Sequence, residues 1–110
     1  MNAANLDLTL AALADPHRRR VVDLLRERPH RAGELAQALR LSFPAMSRHL
    51  KTLRKSGVVA EDRDEFDSRV RIYRLRPEAM AELKAWLADT EAMWARQLSA
   101  LKAHLQESMK

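Results

Sequence analysis

The sequence predicts a mainly α-helical domain with one small β-hairpin. Three patterns carry that expectation. Residues 41–59, LSFPAMSRHLKTLRKSGVV, combine helix caps with one apolar and one basic stripe. After Gly57 the apolar period shortens from the helical one to alternation, as β-strands require. From Pro77 onward the helical period returns and continues close to the C-terminus.

The elements follow in order. A short helix over about 6–13 carries Leu6, Leu10 and Leu13. Asp15-Pro16 then supplies an N-cap and a proline at the first helical position. This second helix carries Val21, Val22, Leu24 and Leu25, and Pro29 marks its exit. A third helix over about 32–39 places Leu35 and Leu39 four residues apart, on one face. Arg40-Leu41-Ser42 is a tight connection with Ser42 as the next N-cap. Pro44 is tolerated in the first turn that follows, and Gly57 suits a left-handed C-terminal cap. The stretch 32–56 therefore reads as helix, short turn, helix. Extended segments at 58–64 and 69–75 flank a polar tip at 65–68, giving a hairpin over about 58–75. A last helix over about 77–107 repeats Met80, Leu83, Leu87, Trp94, Leu98, Leu101 and Leu105 at three- and four-residue steps. Its length, roughly 45 Å at 1.5 Å per residue, exceeds what a compact protomer of this size needs. The surplus apolar stripe suits a second copy of the chain.

Size and composition bound the function. At 110 residues the chain is expected to be a single domain, 1–110. The formal net charge of +5 and pI of about 10.2 make a polyanionic partner plausible. No cysteine is present, so disulfides and thiolate metal sites are excluded, and a reducing compartment fits. The longest apolar run, near 8–14, is too short to span a membrane. The N-terminus lacks the charged segment and apolar core of a signal peptide. A cytoplasmic protein with no membrane partner is expected.

Chemistry concentrates in the helix after Ser42. At about 100° per residue, Met46, Leu50 and Leu53 fall on one side, and Pro44, Ser47, Arg48, Lys51 and Lys55 on the other. No acid occurs between Glu34 and Glu61, whereas Arg40, Arg48, Lys51, Arg54 and Lys55 lie in that gap. A helix docked by its apolar side with its cations free suits the DNA major groove. Ser42, Phe43, Pro44, Ala45, Ser47 and Arg48 occupy the leading end. There Arg48 can pair with guanine acceptors, Ser47 with a base edge or phosphate, and Phe43 or Ala45 with a thymine methyl. Lys51, Arg54 and Lys55 are placed for phosphates. The bland alternative is an amphipathic helix with a solvated basic face.

The hairpin has two readings. As a wing it would bring Arg69 and Arg71 to DNA. As a structural hairpin its charges would pair across strands, and Glu61, Asp62, Asp64, Glu65 and Asp67 favour that. Those acids lack the glycine turn and ligand order of a calcium loop. His104-x-x-Glu107 could offer two metal ligands, too few for a closed site without a second subunit. His17 and His30 read as surface or helix-end residues, and His49 as a packing or backbone-bonding one. Trp86 and Trp94 suit a core or interface better than an effector pocket. No nucleophile–base pairing or phosphate-cradling glycine loop occurs, so neither an enzyme nor a cofactor is expected.

The stretch from ALADPHRRR through GELAQAL to SFPAMSRHLKTLRKSGVV, with YRLRPE leaving the hairpin, resembles the ArsR/SmtB family of winged helix-turn-helix repressors. The likeness covers nearly the whole chain. It implies a dimeric repressor that binds double-stranded DNA at an inverted repeat and releases it on a signal, through an unidentified small-molecule or protein effector. It also implies a dimer interface from the first and last helices, here around Leu6, Leu10, Leu87, Trp94, Leu98 and Leu101. Two departures bear on sensing. Ala36 and Ala38 stand where many family sensors carry cysteines. Glu91, Met93, His104 and Glu107 stand where another family site has Asp-x-His followed by His-x-x-Glu, so methionine breaks that set. The ending WARQLSALKAHLQE looks like a cysteine-free branch found beside genes for START-like, SRPBCC-type proteins. Three alternatives remain: a metal-responsive repressor using His104 and Glu107 across the dimer, a non-specific architectural DNA binder, and a protein-interaction module docking through the long helix.

Overall fold

The computed structural model describes residues 3–109. Five helices and three short strands follow one another: α1 (Ala3–Leu13), α2 (Pro16–Glu27), β1 (His30–Arg31), α3 (Ala32–Leu39), α4 (Phe43–Lys55), β2 (Val59–Arg63), β3 (Arg71–Leu75) and α5 (Pro77–Ser108). The expected caps are present. The Asp15 carboxylate accepts from the backbone N–H groups of His17 and Arg18 at 2.8 and 3.2 Å, opening α2. Ser42 Oγ accepts from Ala45 N at 3.3 Å, opening α4. Gly57 adopts φ +83°, where a side chain would be strained. Arg40 also lies in the left-handed region, at φ 56°. There its N–H and that of Leu41 reach back to the carbonyls of Gln37 and Ala36, closing α3 in a Schellman-type turn.

The sheet is antiparallel in the order β1-β3-β2. Val59 pairs with Leu75, Glu61 with Tyr73 and Arg63 with Arg71, while His30 pairs with Tyr73 and Arg31 with Ile72 on the other edge of β3. Strand β1 is not legible in the sequence, because two residues are too few to alternate and it exists only by pairing with β3. It settles the reading of His30 as a surface or helix-end residue against the surface. His30 is buried, with Nδ1 2.8 Å from the Arg28 carbonyl oxygen.

The core lies where α2, α3 and α4 meet the sheet. Val21 and Leu25, Leu35 and Leu39, Met46, Leu50 and Leu53, Val58, Val59 and Tyr73 form one buried cluster. Burying such side chains is worth about 1.5–3 kcal/mol each. Arginines from α2 close the end of α1: Arg18 Nε donates to Ala12 O at 2.6 Å and Arg19 Nη1 to Leu13 O at 2.8 Å. Only the first turns of α5 join this body, through buried Ala79 and half-buried Met80 and Leu83, with α1 packed alongside. Beyond Leu83 every residue to Met109 is exposed except half-buried Thr90. The chain is accordingly elongated, 72 × 29 × 23 Å. Among the described residues, no helix is long and apolar enough to cross a membrane.

Candidate nucleic-acid interface

Helix α4 docks through Met46, Leu50 and Leu53, all buried. The opposite face is open. Ser42, Phe43, Pro44, Ser47, Arg48, Lys51, Arg54 and Lys55 are exposed, Phe43 by 59%, and Ala45 is half-buried. Ala45 thus sits on the flank of the docked face, less available to a thymine methyl than Phe43. Among the described residues, Arg48, Lys51 and Lys55 form no ion pair within the protomer, so their charges face solvent. Phe43 and Ser47 line a groove together with residues 31–34 and with Arg69, Val70, Arg71 and Tyr73 of the hairpin.

A polar cluster holds the side of α4 that faces α2. His49 Nδ1 lies 3.3 Å from Arg18 Nη1, and its ring centroid is 5.6 Å from that of His17. Of the two expected roles, packing and backbone bonding, His49 takes the first, against side chains of α2. Its nitrogen accepts from Arg18 only when it carries no proton. Burial lowers the His49 pKa; Asp15 opposes that shift, while Arg18, His17 and Arg48 reinforce it. Burial acts to raise the Asp15 pKa, but the backbone N–H groups of Arg18 and His17 outweigh it and hold the carboxyl below its ordinary value.

The hairpin pairs its charges internally. Arg69 bonds Asp67 at 3.1 Å, Arg74 bonds Asp62 at 2.7 Å, and Arg31 of β1 lies 3.3 Å from Asp64. Asp64 also accepts from the backbone N–H groups of Phe66 and Asp67, which pins the tip and keeps its own pKa low. Phe66 is displayed there almost fully exposed. Arg71 reaches Glu61, and so does Arg54 from α4. Arg69, Arg71 and Arg54 are therefore engaged by acids of the protein, unlike Arg48, Lys51 and Lys55. The sequence favours Glu61 as a cross-strand partner, the part it plays with Arg71; it does not point to Arg54 of α4 as a second partner of Glu61, nor to Arg31 as the partner of Asp64. The alternation that places Glu61 opposite Tyr73 is the signal that would have found the first; nothing in two residues signals the second.

The residues expected at a subunit interface divide. Leu6 is 8% exposed and belongs to the protomer's own packing, and Leu10 is at the margin of exposure. Leu87, Trp94, Leu98 and Leu101 are exposed, Trp94 by 60%. Leu87, Thr90, Glu91, Trp94, Ala95 and Leu98 line one continuous, largely apolar hollow on α5. His104 and Glu107 lie on the exposed end of the same helix. Among the described residues, no group of three or more His, Cys, Asp or Glu is arranged to hold a metal ion.

Comparison with known proteins gives a consistent set of likenesses. Residues 15–61 match the family described as bacterial regulatory protein, arsR family. The chain is 38% identical over 93 residues to the HTH-type transcriptional regulator Rv2034 of Mycobacterium tuberculosis, covering 84% of this chain and 81% of that protein. It is 36% identical over 52 residues to the transcriptional repressor SdpR of Bacillus subtilis, covering 47% of this chain and 58% of that one. Among solved structures, an ArsR-like transcriptional regulator from Rhodococcus sp. RHA1 superposes with a TM-score of 0.75 at 29% identity, covering 90% of this chain and 91% of that one.

Proposed function

The chain belongs to the arsR family of bacterial regulatory proteins, and from that premise we propose that it is a homodimeric repressor reading an inverted DNA repeat. The observation that carries this reading is the state of α4. Its apolar face is buried, while Arg48, Lys51 and Lys55 stand free beside an open leading end. In a winged helix-turn-helix that end enters the major groove. Ser42, Phe43, Pro44, Ala45, Ser47 and Arg48 are assigned to base edges and nearby backbone, with Phe43 the better apolar contact. Lys51 and Lys55 are assigned to phosphates, and Arg54, Arg69 and Arg71 reach phosphate only by leaving their acids. The exposed stripe of α5 through Leu87, Trp94, Leu98 and Leu101, with Leu10 of α1, is assigned to the second subunit. The SdpR likeness supports repression. The complete lack of cysteine supports the branch found beside genes for START-like proteins. A double-stranded DNA partner supports a cytoplasmic place of action.

Selection of bound sequences from a random duplex pool tests this function. The expected product is a palindrome whose half-sites lie about 10 base pairs apart, roughly 34 Å, matching two recognition helices on one DNA face. A pool that stays random after repeated rounds would leave a non-specific architectural binder instead.

A further inference from the structure

Glu61 is the first acid after Glu34, and it ends the acid-free stretch that contains α4. On β2 it stands directly opposite Tyr73. Cross-strand partners share a face, and Tyr73 is buried, so Glu61 faces the body of the protein and the end of α4. Its carboxylate is engaged by three side chains from two elements, α4 and β3. One oxygen accepts from Arg54 of α4 and from the Tyr73 hydroxyl, the latter at 3.1 Å; the other forms an ion pair with Arg71 Nε of β3 at 3.1 Å. The side chain is only 19% exposed, while those of Arg54 and Arg71 are 48% and 41% exposed.

A carboxylate gripping two guanidinium groups is the same chemistry as a DNA phosphate gripping them. Resting on the DNA-binding reading of α4, we infer that Glu61 is a built-in competitor for phosphate that restrains non-specific DNA binding. Sequence-independent affinity comes from cations that neutralise phosphates. Arg54 and Arg71 contribute to it only after breaking with Glu61. Arg48 makes no such pair, so base readout at the leading end is not restrained in the same way. Glu61 thereby lowers the sequence-independent part of the affinity, so that base readout carries a larger share of binding, without touching a base. Its contact with Tyr73 fixes the carboxylate in place, and its two arginines tie the end of α4 to the arm of the hairpin.

The test uses the full chain and a fluorescent 24-base-pair duplex of arbitrary sequence, titrated between about 50 and 200 mM salt. Glu61→Gln keeps the shape and the tyrosine contact but removes the charge. It should bind this duplex on the order of tenfold more tightly at the lower salt, with a salt slope steeper by about 1 to 2. The gain should largely vanish when Arg54 and Arg71 are also changed to Gln. Unchanged or weaker binding by Glu61→Gln, or a gain that persists without the two arginines, overturns the inference. Arg71→Gln tests it in a protein that retains Glu61 paired with Arg54. It should weaken binding much less than Lys51→Gln, and an equal loss overturns the inference even if Glu61→Gln does not fold. A parent protein that fails to bind the duplex at the lower salt overturns the DNA-binding reading itself, a separate result from a parent that binds and a Glu61→Gln variant that matches it.

Discussion

Arg18 Nε donates to the carbonyl oxygen of Ala12 at 2.6 Å, so a side chain from the first turn of α2 closes the last turn of α1. The same guanidinium reaches Ala11 O and His49, joining three helices through one residue. The last carbonyls of a helix have no partner within it, and a charged donor satisfies them more strongly than a neutral one. Arg18→Ala is expected to cost about 1–3 kcal/mol. Urea unfolding at fixed protein concentration measures it, since dimerisation would otherwise move the midpoint. A midpoint equal to the parent's would show that α1 closes without Arg18.

Acid should loosen the seat of α4. The folded-state pKa of His49 is lowered, so the unfolded chain binds its proton more readily than the folded one. By linkage, the stabilising contribution of neutral His49 is fully present above the ordinary histidine value near 6.5. It is lost as pH falls below that value toward the depressed folded one. Stability measured across this window should drop toward acid. His49→Gln should flatten part of that slope, and a slope identical in both proteins would remove His49 as its source.

Two substitutions on α4 should separate base readout from phosphate binding. Arg48→Ala is expected to cost about 1–3 kcal/mol on the selected operator and to relax preference at the bases it meets. Lys51→Ala should weaken specific and random duplexes alike and lower the salt slope by about 1. Parent-like operator binding by both variants would assign the groove to another element.

Leu98→Glu tests the subunit interface. Leu98 is exposed on α5 next to Trp94, and a buried leucine is worth about 1.5–3 kcal/mol. A carboxylate in its place should weaken the dimer by more than about tenfold. Sedimentation velocity would show a monomer where the parent sediments as a dimer. Because the residue lies outside the protomer's core, the thermal unfolding of the monomer should change little. An unaltered sedimentation coefficient would move the interface elsewhere.

Much of this architecture was legible in local patterns. Asp15-Pro16, Ser42 and Gly57 act within a few residues of themselves, and each does what its type predicts. The docked face of α4 follows directly from helical period. Strand β1 escaped notice because its only stabilising partner, β3, lies some forty positions away in the chain. Leu6 looked interchangeable with Leu10 in the periodic pattern, yet one is buried and the other is not. Periodicity assigns a face to a residue; it does not say how much of that face a neighbouring helix covers.

The charges divide in the same way. By itself, the sequence determined that cations gather on α4 and that acids gather in the hairpin, because composition and period depend only on order along the chain. Which of those cations are free depends on the packing of α4 against the hairpin. That packing set Arg54 and Arg71 on one carboxylate and left Arg48, Lys51 and Lys55 in solvent. An ion pair depends on distances of a few ångströms between groups far apart in sequence, and folding alone creates that proximity.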